Sequence, residues 1–266
     1  MSNHNSPKET AILVSELGEK KTSLSVLNMF ILGMLAGAYI AFGSYLYTVT
    51  CTGTVEAQGY GVAKLLGGAA FSVGLMLVLI AGAELFTGNI LITVGRLQKK
   101  VSWSALLKNL VVVYFANFVG ALIVALLIYF SGLNGEGETL SEVGKTALKI
   151  AEGKASLGFV PAMIRGILAN WLVCLAVVLA IAAKDISGKI LACLFPVMAF
   201  VAMGFEHSIA NMFFLPTGWL LAQNVESSLV LSGMLNNLVA VTIGNIIGGA
   251  VFVALAYWVV YLRKSE

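Results

Sequence analysis

Two acidic residues lie inside hydrophobic stretches of this chain, and each is followed five positions later by an asparagine. The stretches are Ala81-Gly82-Ala83-Glu84-Leu85-Phe86-Thr87-Gly88-Asn89 and Met203-Gly204-Phe205-Glu206-His207-Ser208-Ile209-Ala210-Asn211. A carboxylate at bilayer depth is costly, so it normally faces a bundle interior or an aqueous path and carries a function. The two glutamates, at 84 and 206, are 122 positions apart, which points to an internally duplicated membrane protein with a transport route at its centre.

His207 directly follows the second glutamate and is the one histidine outside a disordered-looking N-terminal segment. A neutral imidazole donates a hydrogen bond to an anion, and its ordinary pKa lets it exchange a proton with one near neutrality. The competing reading is a buried neutral histidine that holds a broken helix together. Glu84 and Glu206 would repel an anion, so they are expected to accept hydrogen bonds from backbone N–H groups freed at each break. Asn89 and Asn211 read as caps or loop-tying amides, and Thr87, in the break opposite the one that holds His207, as a hydroxyl offered to a passing ion. Lys154 stands just before the fourth apolar segment, either solvated or drawing anions to a pore mouth. Phe71, Leu75, Leu85, Phe86 and Phe200 lie near the breaks, where apolar side chains pack or form constrictions that gate by dewetting.

The elements that must position these residues are transmembrane helices. Hydrophobic residues make up 59% of the chain and charged residues 11%, and mean hydropathy is +0.94. A soluble domain would be roughly a quarter charged, so a soluble catalytic domain has no room. Cys51, Cys174 and Cys193 have no metal-ligand spacing, and neither a disulfide framework nor a metal is expected. Residues 1–21 lack the apolar core of a signal peptide. Six apolar segments, at about 25–49, 65–95, 105–130, 160–183, 189–222 and 229–262, reach the roughly 20 residues that a hydrocarbon span requires. The second and fifth are too long for simple spans and hold the two Glu-x4-Asn units. Both are expected to be broken, half-helix, loop, half-helix, which lipid tolerates only where protein or water satisfies the backbone.

Lysine and arginine set the orientation. Lys8, Lys20, Lys21, Arg96, Lys99, Lys100, Lys108, Lys184, Lys189, Arg263 and Lys264 fall on one side, which the positive-inside rule makes cytoplasmic, with both termini. The layout is therefore a cytoplasmic segment 1–24, a six-span channel domain 25–262 and a cytoplasmic tail 263–266. The loop at 131–159, helical in pattern from Leu140 to Glu152, is expected to cap the outer face.

The halves match beyond the acidic units. Asn117-Phe118-Val119-Gly120-Ala121 in span three corresponds to Asn245-Ile246-Ile247-Gly248-Gly249 in span six, and Gly33-Met34-Leu35-Ala36-Gly37 in span one to Gly166-Ile167-Leu168-Ala169-Asn170 in span four. Repeats at about 25–130 and 160–262 with three spans each insert with opposite orientation, and such repeats place a substrate site where their broken helices meet.

The string Gly204-Phe205-Glu206-His207-Ser208-Ile209-Ala210-Asn211-Met212, with Ala81-Gly82-Ala83-Glu84-Leu85-Phe86-Thr87-Gly88 and Asn170-Trp171-Leu172-Val173-Cys174-Leu175-Ala176, closely resembles the formate/nitrite transporter family across all six spans. The resemblance implies an all-α, aquaporin-like protomer in the cytoplasmic membrane of a prokaryote. It implies a homopentamer, with one path for a small monovalent anion (formate, nitrite or hydrosulfide) through each protomer. It makes His207 the central histidine, Lys154 the vestibule lysine and Thr87 the loop threonine, with Asn170 and Asn245 as pore asparagines. Phe71, Leu75, Leu85, Phe86 and Phe200 then form two constrictions. No cofactor or nucleic-acid partner is implied, and formate is the favoured substrate. The alternative is a neutral-solute pore of aquaporin or glycerol type, which would carry two Asn-Pro-Ala loops that this chain lacks. A membrane-embedded enzyme would need a metal cluster or nucleophile dyad.

Overall fold

The computed structural model describes residues 4–223 and 225–263. Residues 1–3 of the N-terminal segment, and Lys264 among the charges used for orientation, lie outside the described residues. The chain is helical almost throughout. Helix α1 (Pro7–Thr22) precedes the first span, α2 (Val26–Cys51), and a short α3 (Thr54–Gln58) leads into α4 (Tyr60–Met76). Wide π-helical turns at Leu77–Gly82 extend α4, and the chain then breaks before α5 (Phe86–Asn89) and α6 (Ile92–Leu97). Span three is α7 (Trp103–Phe130); a two-stranded hairpin, β1 (Gly135–Glu136) with β2 (Thr139–Leu140), and α8 (Glu142–Ala155) follow it. Span four is α9 (Phe159–Ala182). Span five is split into α10 (Ile186–Ala202) and α11 (Ser208–Ala222), and span six is α12 (Leu231–Gly249) with π-helical turns as far as Leu262.

Five of these helical runs are long and apolar enough to cross a membrane, and the fifth span is made by the two shorter apolar helices α10 and α11. Span two starts at Tyr60, earlier than the apolar run at 65 suggests, because the helix continues past the apolar stretch and carries Lys64 in its second turn. Both expected breaks are present. Gly82 (φ 88°) and Gly204 (φ 74°), again 122 positions apart, turn the chain in the left-handed region that a side chain disfavours.

The packing repeats as the sequence does. Helix α2 lies along α4 and α7, α9 lies along α10 and α12, and α4 meets α10 across the centre. Three spans in each half make the repeats inverted. Small residues let the backbones approach: a Cβ on Gly120 would run into the Met34 carbonyl oxygen, and one on Gly244 into that of Met163. The core between the halves holds Phe71, Leu75, Leu85, Phe86 and Phe200, all buried.

The N-terminal segment is more ordered than its composition suggests. Ser6 caps α1 in a reciprocal box with Glu9, and Pro7 occupies the first helical position. The Ser6 backbone N–H on Glu9 holds that carboxyl below the usual range. A buried stripe of Thr10, Ala11, Val14, Ser15 and Gly18 docks α1 beneath the bundle, and Asn5 donates to the Ile181 carbonyl at 3.1 Å. On this same face, Gln98 donates to the Leu262 carbonyl at 3.1 Å, so both ends of the chain gather there. On the opposite face, Glu152 of α8 accepts from the Ser227 hydroxyl (2.7 Å) and the Ser228 N–H (3.0 Å). Those two bonds, the hydroxyl's first, hold the Glu152 carboxyl below the usual range.

Gly120→Ala and Gly244→Ala are each expected to lower the stability of the detergent-solubilised protein by about 1–3 kcal/mol, the usual penalty of overpacking. Gly61→Ala, where a Cβ meets nothing within 4 Å, is expected to leave the melting temperature unchanged or raised. Equal melting temperatures for all three variants would contradict the close backbone approach.

Candidate functional site

Each break releases backbone groups at the centre of the bundle, and one asparagine ties two of them to a neighbouring unbroken helix. Asn117 donates to the carbonyls of Gly33 (2.7 Å) and Glu84 (2.9 Å) and accepts from the Phe86 N–H (2.9 Å). Asn245 donates to the carbonyls of Gly166 (2.8 Å) and Glu206 (3.0 Å) and accepts from the Ser208 N–H (2.9 Å). These are the same three bonds at equivalent positions of the two repeats. They leave none of the Asn245 side chain's hydrogen-bonding atoms without a protein partner. Asn170 also works on backbone, donating to the carbonyls of Thr87 (3.2 Å) and Asn245 (2.7 Å), while its Oδ1 is buried without a partner. The two asparagines that the family resemblance assigns to the pore thus tie the breaks together.

The glutamates have different partners from those expected. Among the described residues their carboxylates take side-chain donors rather than freed backbone N–H groups. Glu84 accepts from Lys21 (2.5 Å) and Asn89 (2.7 Å). Glu206 accepts from Lys154 (2.9 Å), Asn211 (2.7 Å) and, more weakly, Asn237 (3.4 Å). Behind each unit stands another asparagine: Asn89 donates to Asn109 at 2.9 Å, and Asn211 to Asn237 at 2.7 Å. Asn109 and Asn237 reach back to the carbonyls of Lys21 (3.3 Å) and Lys154 (2.9 Å). A Lys–Glu–Asn–Asn network is therefore built twice. It carries the duplication into α1 and α8, beyond the repeat boundaries at 25 and 160 that the apolar pattern suggested.

Lys21, Asn109, Asn117 and Asn237 were not among the site residues read from the sequence. A signal was present: Asn109 and Asn237 are separated by 128 positions, as Asn117 and Asn245 are, and Lys21 and Lys154 by 133, as Gly33 and Gly166 are. Both ion pairs are largely shielded, with side-chain exposures of 19% and 7% for Lys21–Glu84 and 15% and 6% for Lys154–Glu206. Removing one partner of such a pair would leave a buried charge alone.

Between the networks lies His207. It is the N-cap of α11, and its Nδ1 accepts from the Ala210 backbone N–H at 3.2 Å. A backbone N–H can only donate, so Nδ1 carries no hydrogen and the neutral ring holds its proton on Nε2. That atom stands 2.9 Å from Thr87 Oγ1, which brings the two breaks together across the repeat. Thr87 and His207 are both buried.

Two cavities flank this contact. On the face carrying the termini, a cavity of about 550 Å³ is lined by Lys21, Glu84, Asn89, Leu75 and Leu85, among others. On the opposite face, one of about 450 Å³ is lined by Lys154, Glu206, His207, Phe71 and Phe200, among others. The rings of Phe71 and Phe200 meet edge-on at 5.8 Å, and Phe200 lies 6.0 Å from the His207 ring. The apolar residues thus divide into an aromatic pair on one side and Leu75 with Leu85 on the other. Phe86 belongs to neither lining: its ring packs edge-on against Tyr114 at 4.8 Å, because its N–H is tied to Asn117 on the same helix. Among the described residues, no three His, Cys, Asp or Glu side chains group as metal ligands.

Known proteins match this chain from end to end. A probable formate transporter of Methanothermobacter thermautotrophicus is 45% identical over 280 residues, covering 99% of each chain. The formate channel FocA of Escherichia coli K12 is 39% identical over 279 residues, covering 98% of this chain and 95% of the other. Among solved structures, an FNT family ion channel superposes with a TM-score of 0.84 at 31% identity, over 94% of this chain and 98% of its own. A pentameric formate channel with formate bound gives a TM-score of 0.80 at 38% identity, over 90% of this chain and 98% of its own. The profile of the formate/nitrite transporters matches residues 8–259, and with the six-span duplicated fold this establishes that the chain is a membrane transport protein, not an enzyme, of the formate/nitrite transporter family.

Proposed function

We propose that this protein is a channel for small monovalent anions, with formate as the favoured substrate. In this reading it works as a homopentamer in the cytoplasmic membrane with both termini in the cytoplasm. Nitrite and hydrosulfide are the competing substrates. One observation carries the reading: a buried hydrogen-bond donor, His207 Nε2, on Thr87 between two lysine-bearing cavities. The names of the formate-transporting relatives, and the pentamer with formate bound, support the choice of substrate and assembly.

A bare anion crossing the apolar pairs Phe71–Phe200 and Leu75–Leu85 would lose its hydration without replacement. The Nε2–H of His207 offers a donor at that depth, and an anion oxygen that takes it displaces Thr87. Proton transfer is harder. Giving up the Nε2 proton while Nδ1 accepts from Ala210 would leave an imidazolate. A second ring proton requires that cap bond to break first. We therefore assign His207 the role of hydrogen-bond donor, with pH dependence following the fraction of weak acid already protonated in bulk solution. Thr87 is the movable acceptor that keeps the donor satisfied between passages. Glu84, Glu206, Asn89 and Asn211 hold the broken spans, and Lys154 passes the anion inward with the N–H groups that Glu206 leaves unused.

Proteoliposomes carrying the protein are expected to pass formate and to exclude glycerol in stopped-flow flux. Glycerol passage without formate passage would support a neutral-solute pore instead. His207→Asn keeps a donor and an N-cap and is expected to conduct with the pH profile of the wild type. A flattened profile would mean that His207 itself exchanges the proton. His207→Phe is expected to lose at least tenfold of the flux, roughly one strong hydrogen bond to a charged group, with the oligomer intact in detergent. Lys154→Gln is expected to destabilise the protein by about 3–5 kcal/mol through the stranded Glu206 charge, and the double variant Lys154→Gln, Glu206→Gln by less. A double variant no more stable than the single one would contradict the ion pair's structural role.

A further inference from the structure

Resting on that reading, we infer that Lys64 is the anion-docking residue of the cavity on the face away from the termini, receiving a small monovalent anion before it reaches Lys154 and His207. The cavity is lined by four cationic side chains, Lys64, Lys149, Lys154 and Arg165, and two carboxylates, Glu56 and Glu206. Lys154 is the innermost candidate, but its charge is already balanced by Glu206 at 2.9 Å. A neutral pair attracts an anion weakly. Lys149 and Arg165 are exposed and spread their charge into water.

Lys64 is different. It is half-buried, and among the described residues it makes no ion pair with a carboxylate. Its Nζ donates to the Tyr47 hydroxyl at 2.6 Å, and it lies 5.4 Å and 5.5 Å from the ring centroids of Tyr47 and Tyr60. The Tyr47 hydroxyl and the Tyr60 ring hold the ammonium without neutralising it. An ammonium has three donors, so two remain after Tyr47 takes one.

The aromatic wall also leads from Lys64 to the centre. Tyr47 packs edge-on against Phe214 at 6.0 Å, and the Lys154 ammonium sits 5.1 Å over that same Phe214 ring. Two lysines thus stand against adjoining rings of one cavity wall, one at the Tyr47 hydroxyl and uncompensated, the other over Phe214 and paired. An anion attracted by the first is delivered beside the second, at the cavity end where His207 lies. At the 122-position offset that relates the two broken spans, Lys64 corresponds to Ile186, and on the terminus-bearing face the half-buried Lys189, one turn further along α10, lines the other cavity.

The test is initial formate flux into oriented proteoliposomes, from each face in turn, at low and at physiological ionic strength, for wild type, Lys64→Gln and Lys64→Arg. Lys64→Gln keeps a donor for Tyr47 but removes the charge. It is expected to raise KM for loading from the cavity face roughly fivefold at low salt, the factor that one close unit-charge attraction in water amounts to. It should also flatten the salt dependence, while the maximal rate and the KM from the opposite face stay at wild-type values. Lys64→Arg is expected to restore the low KM. Unchanged KM and salt dependence in Lys64→Gln, with wild type conducting, would overturn this inference and leave the channel reading intact. A parallel loss of maximal rate from both faces, not rescued by arginine, would overturn it in favour of a packing role. A wild type that conducts glycerol but no anion would overturn the channel reading, and this inference with it.

Discussion

Backbone groups released at a helix break have no water to bond within a bilayer, and an unsatisfied N–H or C=O there costs several kcal/mol. In this protein two asparagines, Asn117 and Asn245, take two such groups each, one carbonyl and one N–H, and add a carbonyl of the neighbouring unbroken helix. Everything at the centre depends on that exchange. It lets spans two and five interrupt at Gly82 and Gly204, brings Thr87 and His207 face to face, and leaves a cavity on either side of the contact. The carboxamide suits the task because it offers a donor and an acceptor in one plane without charge.

The buried charges follow from the same constraint. A carboxylate at each break is tolerable only with partners, and Glu84 and Glu206 each receive a lysine and an asparagine. The lysines come from α1 and α8, helices outside the spans, which are thereby fastened over the two cavities. Charge that looks from the sequence like attraction for an anion is in large part used up in holding the fold. Electrostatic steering then has to come from cations that are not paired, and this separates Lys64 from Lys154.

The two halves share a scaffold and differ at one decisive pair of positions. His207 in the second break corresponds to Leu85 in the first at the 122-position offset, so one repeat contributes a polar donor where the other contributes an apolar side chain. The same architecture therefore serves as support twice and as chemistry once. Asymmetry of this kind is available to a duplicated chain, because the supporting residues carry the breaks and leave His207 only the cap of α11 besides its donor.

Much of this was legible in the residues. Hydropathy marks the six spans because lipid demands long apolar runs, and the paired Glu-x4-Asn units mark the breaks because nothing else explains two carboxylates at that depth. The adjacency of Glu206 and His207 marks the centre. The matched Asn117 and Asn245 were visible as repeat landmarks, though their task was not. What only the tertiary structure decided were contacts between residues distant in sequence. Lys21 meets Glu84 across 63 positions and Thr87 meets His207 across 120, and no local pattern encodes such meetings. The tautomer of His207 depends on a cap formed only once α11 exists, and the turning of Phe86 toward Tyr114 depends on where α7 lies. Composition and periodicity report what each segment needs from its solvent. Which donor meets which acceptor is settled by packing, after the segments have come together.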